Sequence, residues 1–311
     1  HLEERYGRNI EQTWGGRWYA DHQAMLDQEK LDGVLVLSSS DVHAEHAIAC
    51  IEKGLPALVE KPFSMSLVDG DRVCRLAGER NVPLMAVANK RFSPPYRRAK
   101  QYVEEGPVDN PAMFCGKFNL GYDYAVQMLE GGTVHVFDLS QFFMGDTARL
   151  HATGVNKYQR YPDRYTFDNA VITLEYASGS VGQVCTTPSA LSLKPWERVE
   201  IYGKNAWLAV EDQYELLLYD SEEGPAKSWK PVIPNTLIYD EEFGGYMGLV
   251  ENFLEVIRGN EAPFVTGREG YKAYELTVAT HLSLDRKGPV DLPLDPAEGD
   301  AERNKVIDYN A

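Results

Sequence analysis

The chain reads as α/β plus α+β: a domain of parallel βαβ units, then a domain built on an open, mostly antiparallel sheet with helices on one face. Three observations predict this. Short apolar runs alternate with helical stretches from Gly33 to Ala88, as parallel βαβ units require. At Asn89-Lys-Arg-Phe-Ser-Pro-Pro95 the texture changes, and after one more helix it turns to strands. Two helices then close the chain, around Met247 to Arg258 and Arg268 to Leu284. The division falls at residues 1–106 and 107–311.

In chain order, Leu2 to Tyr6 with Gly7 reads as the end of a helix and its C-cap. Asp21 to Lys30 is a short helix. Gly33 to Leu37 is apolar on both faces, as expected of an interior strand. It closes in Ser38-Ser39-Ser40-Asp41, which caps a helix running to about Lys53, and Gly54 ends that helix. Pro56-Ala-Leu-Val-Glu-Lys-Pro62 is a buried strand that stops at Lys61, because Pro62 has no N–H for a ladder. A helix from Leu67 to Arg80, a strand from Pro83 to Ala88 and a helix from Tyr96 to Glu105 follow. The β region comprises Ala112 to Asn119, Arg149 to Asn156, Ala170 to Tyr176, Ser180 to Cys185, Arg198 to Tyr202 and Ala206 to Val210. Asp168 to Thr187 is a hairpin turned at Ala177-Ser-Gly179. The acidic stretch from Asp295 to Asp308 reads as a solvated surface segment.

At 311 residues the chain is long enough for two domains. A net charge of −16 argues against nucleic acid and anionic membranes as partners, since both select basic patches. Cys50, Cys74, Cys115 and Cys185 show no metal-ligand spacing, and three of them read as buried thiols. That usage fits a reducing cytoplasm. No apolar run is long enough to span a bilayer.

Two clusters carry chemistry. Lys61 stands at a strand end, and ligands of open α/β sheets sit at the carboxyl ends of strands. The second cluster is Gly131-Gly132-Thr133-Val134-His135-Val136-Phe137-Asp138. With Thr133 as N-cap, His135 falls in the first turn of a helix, whose dipole disfavours the imidazolium. Asp138 lies on the same helix face. A neutral imidazole beside a carboxylate suits moving a proton on or off a hydroxyl. Tyr122, Tyr124 and Trp196 offer flat apolar surfaces, although aromatics in β domains more often serve the core.

Together these pieces resemble the glucose–fructose oxidoreductase / inositol dehydrogenase family of NAD(P)-dependent oxidoreductases, over nearly the whole chain. The resemblance rests on Leu37-Ser-Ser-Ser-Asp-Val-His43, Val59-Glu-Lys-Pro62, Asn89-Lys-Arg-Phe92, Gly131-Gly132 before His135 and Asp138, and Val265-Thr-Gly-Arg-Glu269. It implies a Rossmann domain followed by an open-sheet domain that forms a homodimer or homotetramer. It implies NAD or NADP lined by Ser38, Ser39, Ser40, Glu60, Lys61 and Asn89. His43 matches a position near the cofactor loop, and with His46 it reads equally well as helix surface. Lys61 would contact the nicotinamide ribose and the substrate hydroxyl, with His135 as acid/base or its positioning partner. Asp138 would bind substrate or hold His135, and Lys90 and Arg91 would face the substrate cleft.

Two departures qualify the match. Many members carry an Asp four residues before the histidine, and Gly131 stands there; Glu130 or Asp123 is a candidate substitute. The family's opening strand, G-x-G-x-x-G turn and helix are also absent, and Gly15-Gly16 follows no strand. The chain begins at His1, so the natural protein is expected to carry some tens of residues upstream: a strand, a Gly-rich turn, a helix and a second strand. The expected activity is hydride transfer between a nicotinamide and a secondary alcohol of a sugar, cyclitol or related polyol. The alternatives are an NAD-dependent glycosidase of the same family and a non-catalytic sensor of cofactor and sugar.

Overall fold

Three short strands, β1 (Val34–Val36), β2 (Ala57–Val59) and β3 (Leu84–Ala86), pair in parallel in the order β1-β2-β3. The computed structural model describes residues 2–119, 129–157, 167, 169–187, 196–232 and 239–307. Tyr122, Asp123 and Tyr124 lie outside the described residues. Every residue of β2 and β3 is buried, which requires cover on both faces. Five helices lie in this part of the chain: α1 (Leu2–Ile10), α2 (His22–Gln28), α3 (His43–Glu52), α4 (Leu67–Arg80) and α5 (Pro94–Glu104). The limits of α4 follow from local chemistry. The Ser66 side chain accepts from the Asp69 amide, and Asn81 ends the helix in the left-handed region at φ 53°.

One expectation in this half is corrected. Gly7 does not end α1, which runs on to Ile10 and into a π turn at Glu11–Gly15. A Cβ at Gly7 would lie 1.7 Å from the Trp18 ring, so close approach accounts for this glycine. Among the described strands β1 stands at the sheet edge, with Leu35 and Leu37 44% and 62% exposed.

The second sheet contains β4 (Met113–Asn119), β5 (Thr147–Val155), β6 (Asn169–Tyr176), β7 (Val181–Thr187), β8 (Glu197–Tyr202), β9 (Trp207–Glu211), β10 (Glu215–Tyr219), β11 (Lys227–Trp229) and β12 (Val290–Asp291). Its order is β11-β10-β9-β8-β4-β7-β6-β5-β12, antiparallel throughout except for the β4–β7 pair. β6 alternates buried and exposed residues, as a strand with one covered face must. The remaining helices are α6 (Val134–Met144), α7 (Tyr239–Phe243), α8 (Tyr246–Ile257), α9 (Gly267–Arg286) and α10 (Pro296–Val306). The last three return to the parallel sheet. Ile257 and Phe253 of α8 meet Gly33, Leu84 meets Gly267 of α9, and Leu67 meets Gly299 of α10.

The sequence reading omitted β10 to β12, α7 and α10. The Asp295 to Asp308 stretch is not a solvated tail over its described part: it forms α10, with Asp300 and Arg303 buried. Of the four thiols only Cys50 is buried; Cys74, Cys115 and Cys185 are half-buried, and all four are free. Among the described residues no helix is long and apolar enough to cross a membrane.

Gly245, before α8, has φ +77°, and a Cβ there would lie 2.1 Å from the Asn89 carbonyl oxygen. Gly245→Ala is expected to cost about 1–3 kcal/mol in strain. The check is a lowered urea midpoint at constant m-value; an unchanged midpoint contradicts the assignment.

Candidate active site

The site forms where the parallel sheet runs out. The Glu60 amide donates to the Val36 carbonyl at 2.9 Å, the last rung between β1 and β2. The chain then leaves the sheet through a cis Lys61–Pro62 peptide. The Lys61 amide donates to its neighbour's carboxylate, Glu60 Oε2, at 2.9 Å. The Lys61 side chain crosses to the second domain, where Nζ donates to the Gly131 carbonyl at 2.9 Å. Lys61, His135 and Asp138 line one cleft together with Val59 and Ala88. At the position where the family's Asp is missing, the lysine therefore meets a neutral carbonyl.

Gly131 belongs to a π turn, Leu129–Thr133, that runs directly into α6. Thr133 is not an N-cap: its backbone is helical, and its hydroxyl pairs with that of Thr186 on β7 at 2.7 Å. A Cβ at Gly132 would lie 2.3 Å from the Phe118 ring, so the turn presses closely on β4. His135 is half-buried. Its pKa is held well below 6.5, first by burial and then by the ammonium groups of Lys90 and Lys61. The expected helix-end effect is replaced by these causes. The ring is neutral and can accept a proton.

Lys90 and Arg91 do not face the cleft. Both are buried at the domain junction, 2% exposed each. Lys90 forms an ion pair with Glu197 on β8 and lies 4.3 Å from the centre of the Trp196 ring. Tyr96 donates to the other oxygen of Glu197 at 2.8 Å. Burial lowers the Lys90 pKa, and Glu197 opposes that change. Arg91 grips Asp138 with Nε at 3.1 and 3.0 Å and with Nη2 at 2.6 Å. Its Nη1 meets Glu269 of α9 at 2.5 Å. Burial works against charge on Arg91, and the two carboxylates override it and raise its pKa.

Asp138 is thus engaged by Arg91 rather than by His135. It ties α6 to the first domain one turn beyond the imidazole. Glu130, the candidate substitute acid, pairs with His281 of α9 at 3.0 Å. Trp196 packs edge-on against Phe118 at 5.5 Å.

On the cofactor side, Ser38 and Ser40 are half-buried and Ser39 is exposed in the loop after β1. His43 is neither helix surface nor an open cleft residue, being 1% exposed. Its Nδ1 lies 2.9 Å from the Pro62 carbonyl and its Nε2 2.9 Å from the Ser38 carbonyl, so it braces the Lys61 turn against the serine loop. Asn89 donates to the Gly244 carbonyl at 2.7 Å. Its Oδ1 is buried with no hydrogen-bond partner among the described residues. Gly15 closes a π turn and Gly16 is exposed, so neither forms a strand-to-helix phosphate cradle.

The Arg91 pairings carry a stability prediction. Arg91→Met leaves a buried carboxylate uncompensated and should cost about 3–5 kcal/mol. Arg91→Met with Asp138→Leu should recover most of it, read from urea midpoints. No recovery in the double variant contradicts the pairing.

Residues 3–88 match the model of an oxidoreductase family with an NAD-binding Rossmann fold, and residues 129–292 match that family's C-terminal alpha/beta domain. Myo-inositol 2-dehydrogenase of Thermotoga maritima is 25% identical over 302 residues, covering 93% of this chain and 88% of that protein. D-apiose dehydrogenase of Paraburkholderia graminis is 25% identical over 300 residues, covering 92% and 79%. Among solved structures, levoglucosan dehydrogenase in complex with NADH and levoglucosan has a TM-score of 0.82 at 18% identity, covering 95% of this chain and 90% of that one. The sensitive positions, Lys61 at the strand end and His135 on α6, lie within the two matched regions. The chain belongs to the glucose–fructose oxidoreductase / inositol dehydrogenase family of oxidoreductases, with a Rossmann domain for NAD(P) and a C-terminal alpha/beta domain.

Proposed function

We propose that the chain is an NAD(P)-dependent dehydrogenase acting on a secondary alcohol of a sugar, cyclitol or related polyol. The observation that carries this reading is the convergence of the Lys61 ammonium and a neutral His135 on one cleft at the carboxyl ends of β2 and β3. When bound, the nicotinamide supplies the hydride acceptor. Lys61 donates a hydrogen bond to the reacting oxygen, exchanging it for the Gly131 carbonyl, and steadies the negative charge that develops there. His135 takes the hydroxyl proton. Glu60, Asn89 and the Ser38 to Ser40 loop hold the cofactor, with His43 bracing that loop. Arg91 and Asp138 fix the histidine's helix from below.

A dehydrogenase assay over a panel of polyols and sugars, with NAD and with NADP, tests this. Stoichiometric reduced cofactor supports the proposal. Turnover with the cofactor recycled would point to the glycosidase alternative, and binding without turnover to a sensor. Lys61→Met should lower kcat by about 10²-fold or more with unchanged circular dichroism. The histidine sets the pH dependence. A base works only when unprotonated, and this imidazole is held well below 6.5. The rate should therefore be level through pH 6.5 and fall only below it. His135→Asn should remove that acid limb along with about 10²-fold of rate; persistence of the limb would assign it to another group.

The uncovered face of the large sheet supports self-association. Val171, Val181 and Val155 are 44%, 50% and 54% exposed on it. Tyr202, Trp207 and Tyr219 stack across β8 to β10, with ring centres 5.1 and 3.8 Å apart. This face, on which Arg198 pairs with Glu200 and Glu211 between the apolar side chains, is proposed as the homo-oligomer interface. Val171→Glu with Val181→Glu should reduce the mass measured by light scattering to that of a single 35.0 kDa chain. A wild-type protein that is already monomeric contradicts it.

A further inference from the structure

The helix α10 lies far from Lys61 in sequence, yet it grips the segment that leaves the lysine. Asp300 accepts from the Leu67 amide at 2.9 Å, the Val68 amide at 3.0 Å and the Ser66 hydroxyl at 2.8 Å. These two amides are first-turn donors of α4 with no partner inside their own helix, and the carboxylate also meets the positive end of the helix. Arg303, one turn later, donates to the Met65 carbonyl at 2.6 Å and to the Tyr274 hydroxyl at 2.5 Å. It also pairs with Asp300 at 3.2 Å. Asp300 and Arg303 are 8% and 4% exposed.

Between Lys61 and α4 each residue is anchored. The Pro62 carbonyl faces His43. The Phe63 ring lies against Gly267 and Gly270 of α9, where added Cβ atoms would come within 3.2 and 3.3 Å of it. The Ser64 hydroxyl donates to the Ser66 carbonyl at 2.7 Å and accepts from the Ser66 amide at 3.0 Å. The Met65 carbonyl and the start of α4 are held by α10. The hydrogen bonds that reach the far end of this segment from the C-terminal domain come, among the described residues, from Asp300 and Arg303.

We propose that Asp300 and Arg303 are positioning residues for Lys61, and that α10 sets the lysine's reach to the cleft through residues 62–66. The inference rests on the reading of Lys61 as the catalytic cation. Loss of the grip lets the segment shift, and a displacement near 1 Å at a reacting group can cost on the order of 10²-fold in rate.

Kinetics of Asp300→Asn test this, using NAD(P) and the polyol turned over best in the panel. Expected is a fall in kcat of about 10- to 100-fold, with both KM values within about threefold of wild type. The acid limb due to His135 should stay in place, because α6 is held separately by Arg91. In a Lys61→Met background, Asp300→Asn should cost less than about twofold, since effects exerted through one group are not additive. An undiminished kcat, or an equal loss in the Lys61→Met background, overturns the proposal. If Asp300→Asn fails to fold, Arg303→Met and Arg303→Lys replace it. Met should lose about tenfold and Lys should restore most of it; equal rates overturn the proposal. Should the wild type oxidise no polyol, the dehydrogenase reading fails, and hydrogen exchange tests α10 alone. Asp300→Asn should then speed exchange in the peptide 60–64 and leave 134–144 unchanged; unchanged exchange in 60–64 overturns it.

Discussion

The junction between the two domains is governed by the need to neutralise buried charge. The first domain contributes adjacent cations, Lys90 and Arg91, to a region that excludes water. An unpaired ion in such a place costs several kcal/mol, so each must find a carboxylate in a fixed position. Glu197 of β8 meets one, and Asp138 of α6 with Glu269 of α9 meets the other. These pairs set the large sheet and α6 in register with the end of the small sheet. Once they are satisfied, Lys61 and His135 are left facing the cleft. The positive charge of Lys90 and Lys61, added to burial, is also what keeps His135 neutral.

The same economy explains the role of α9. Along this one helix Glu269 reaches Arg91, Tyr274 meets Arg303, and His281 meets Glu130 of the π turn. Its capping box, Thr266 with Glu269, leaves that glutamate serving both the helix start and Arg91. Glu275 accepts the Leu294 amide just ahead of α10. A helix with so many polar engagements in its buried face acts as a spine, and the π turn, α6 and α10 are each attached to it.

Much of this was readable from residue pattern where the signal is local. The limits of α4 and the hairpin turn around Gly179 follow from caps or glycine within a few residues, whereas β2 ends at Val59, short of the stop expected at Lys61. The partners of Lys90 and Arg91 were not readable, because they lie 107 and 47 residues away and only packing brings them together. The Thr133 assignment failed because a π turn extends the helix through it, while its hydroxyl is taken by β7. α10 was missed for a different reason. What it buries is Gly299, Asp300 and Arg303, so it has no apolar stripe to distinguish it from a solvated acidic tail.

The central claim is that a substrate hydrogen passes as hydride at the cleft shared by Lys61 and His135. The most direct measurement supplies NAD(P) with a polyol deuterated at its carbinol carbons and follows the label by mass spectrometry. The account predicts deuterium on the reduced nicotinamide, appearing on the order of 10²-fold more slowly in Lys61→Met. Reduced cofactor without the label, or label arriving at the wild-type rate in Lys61→Met, would contradict it.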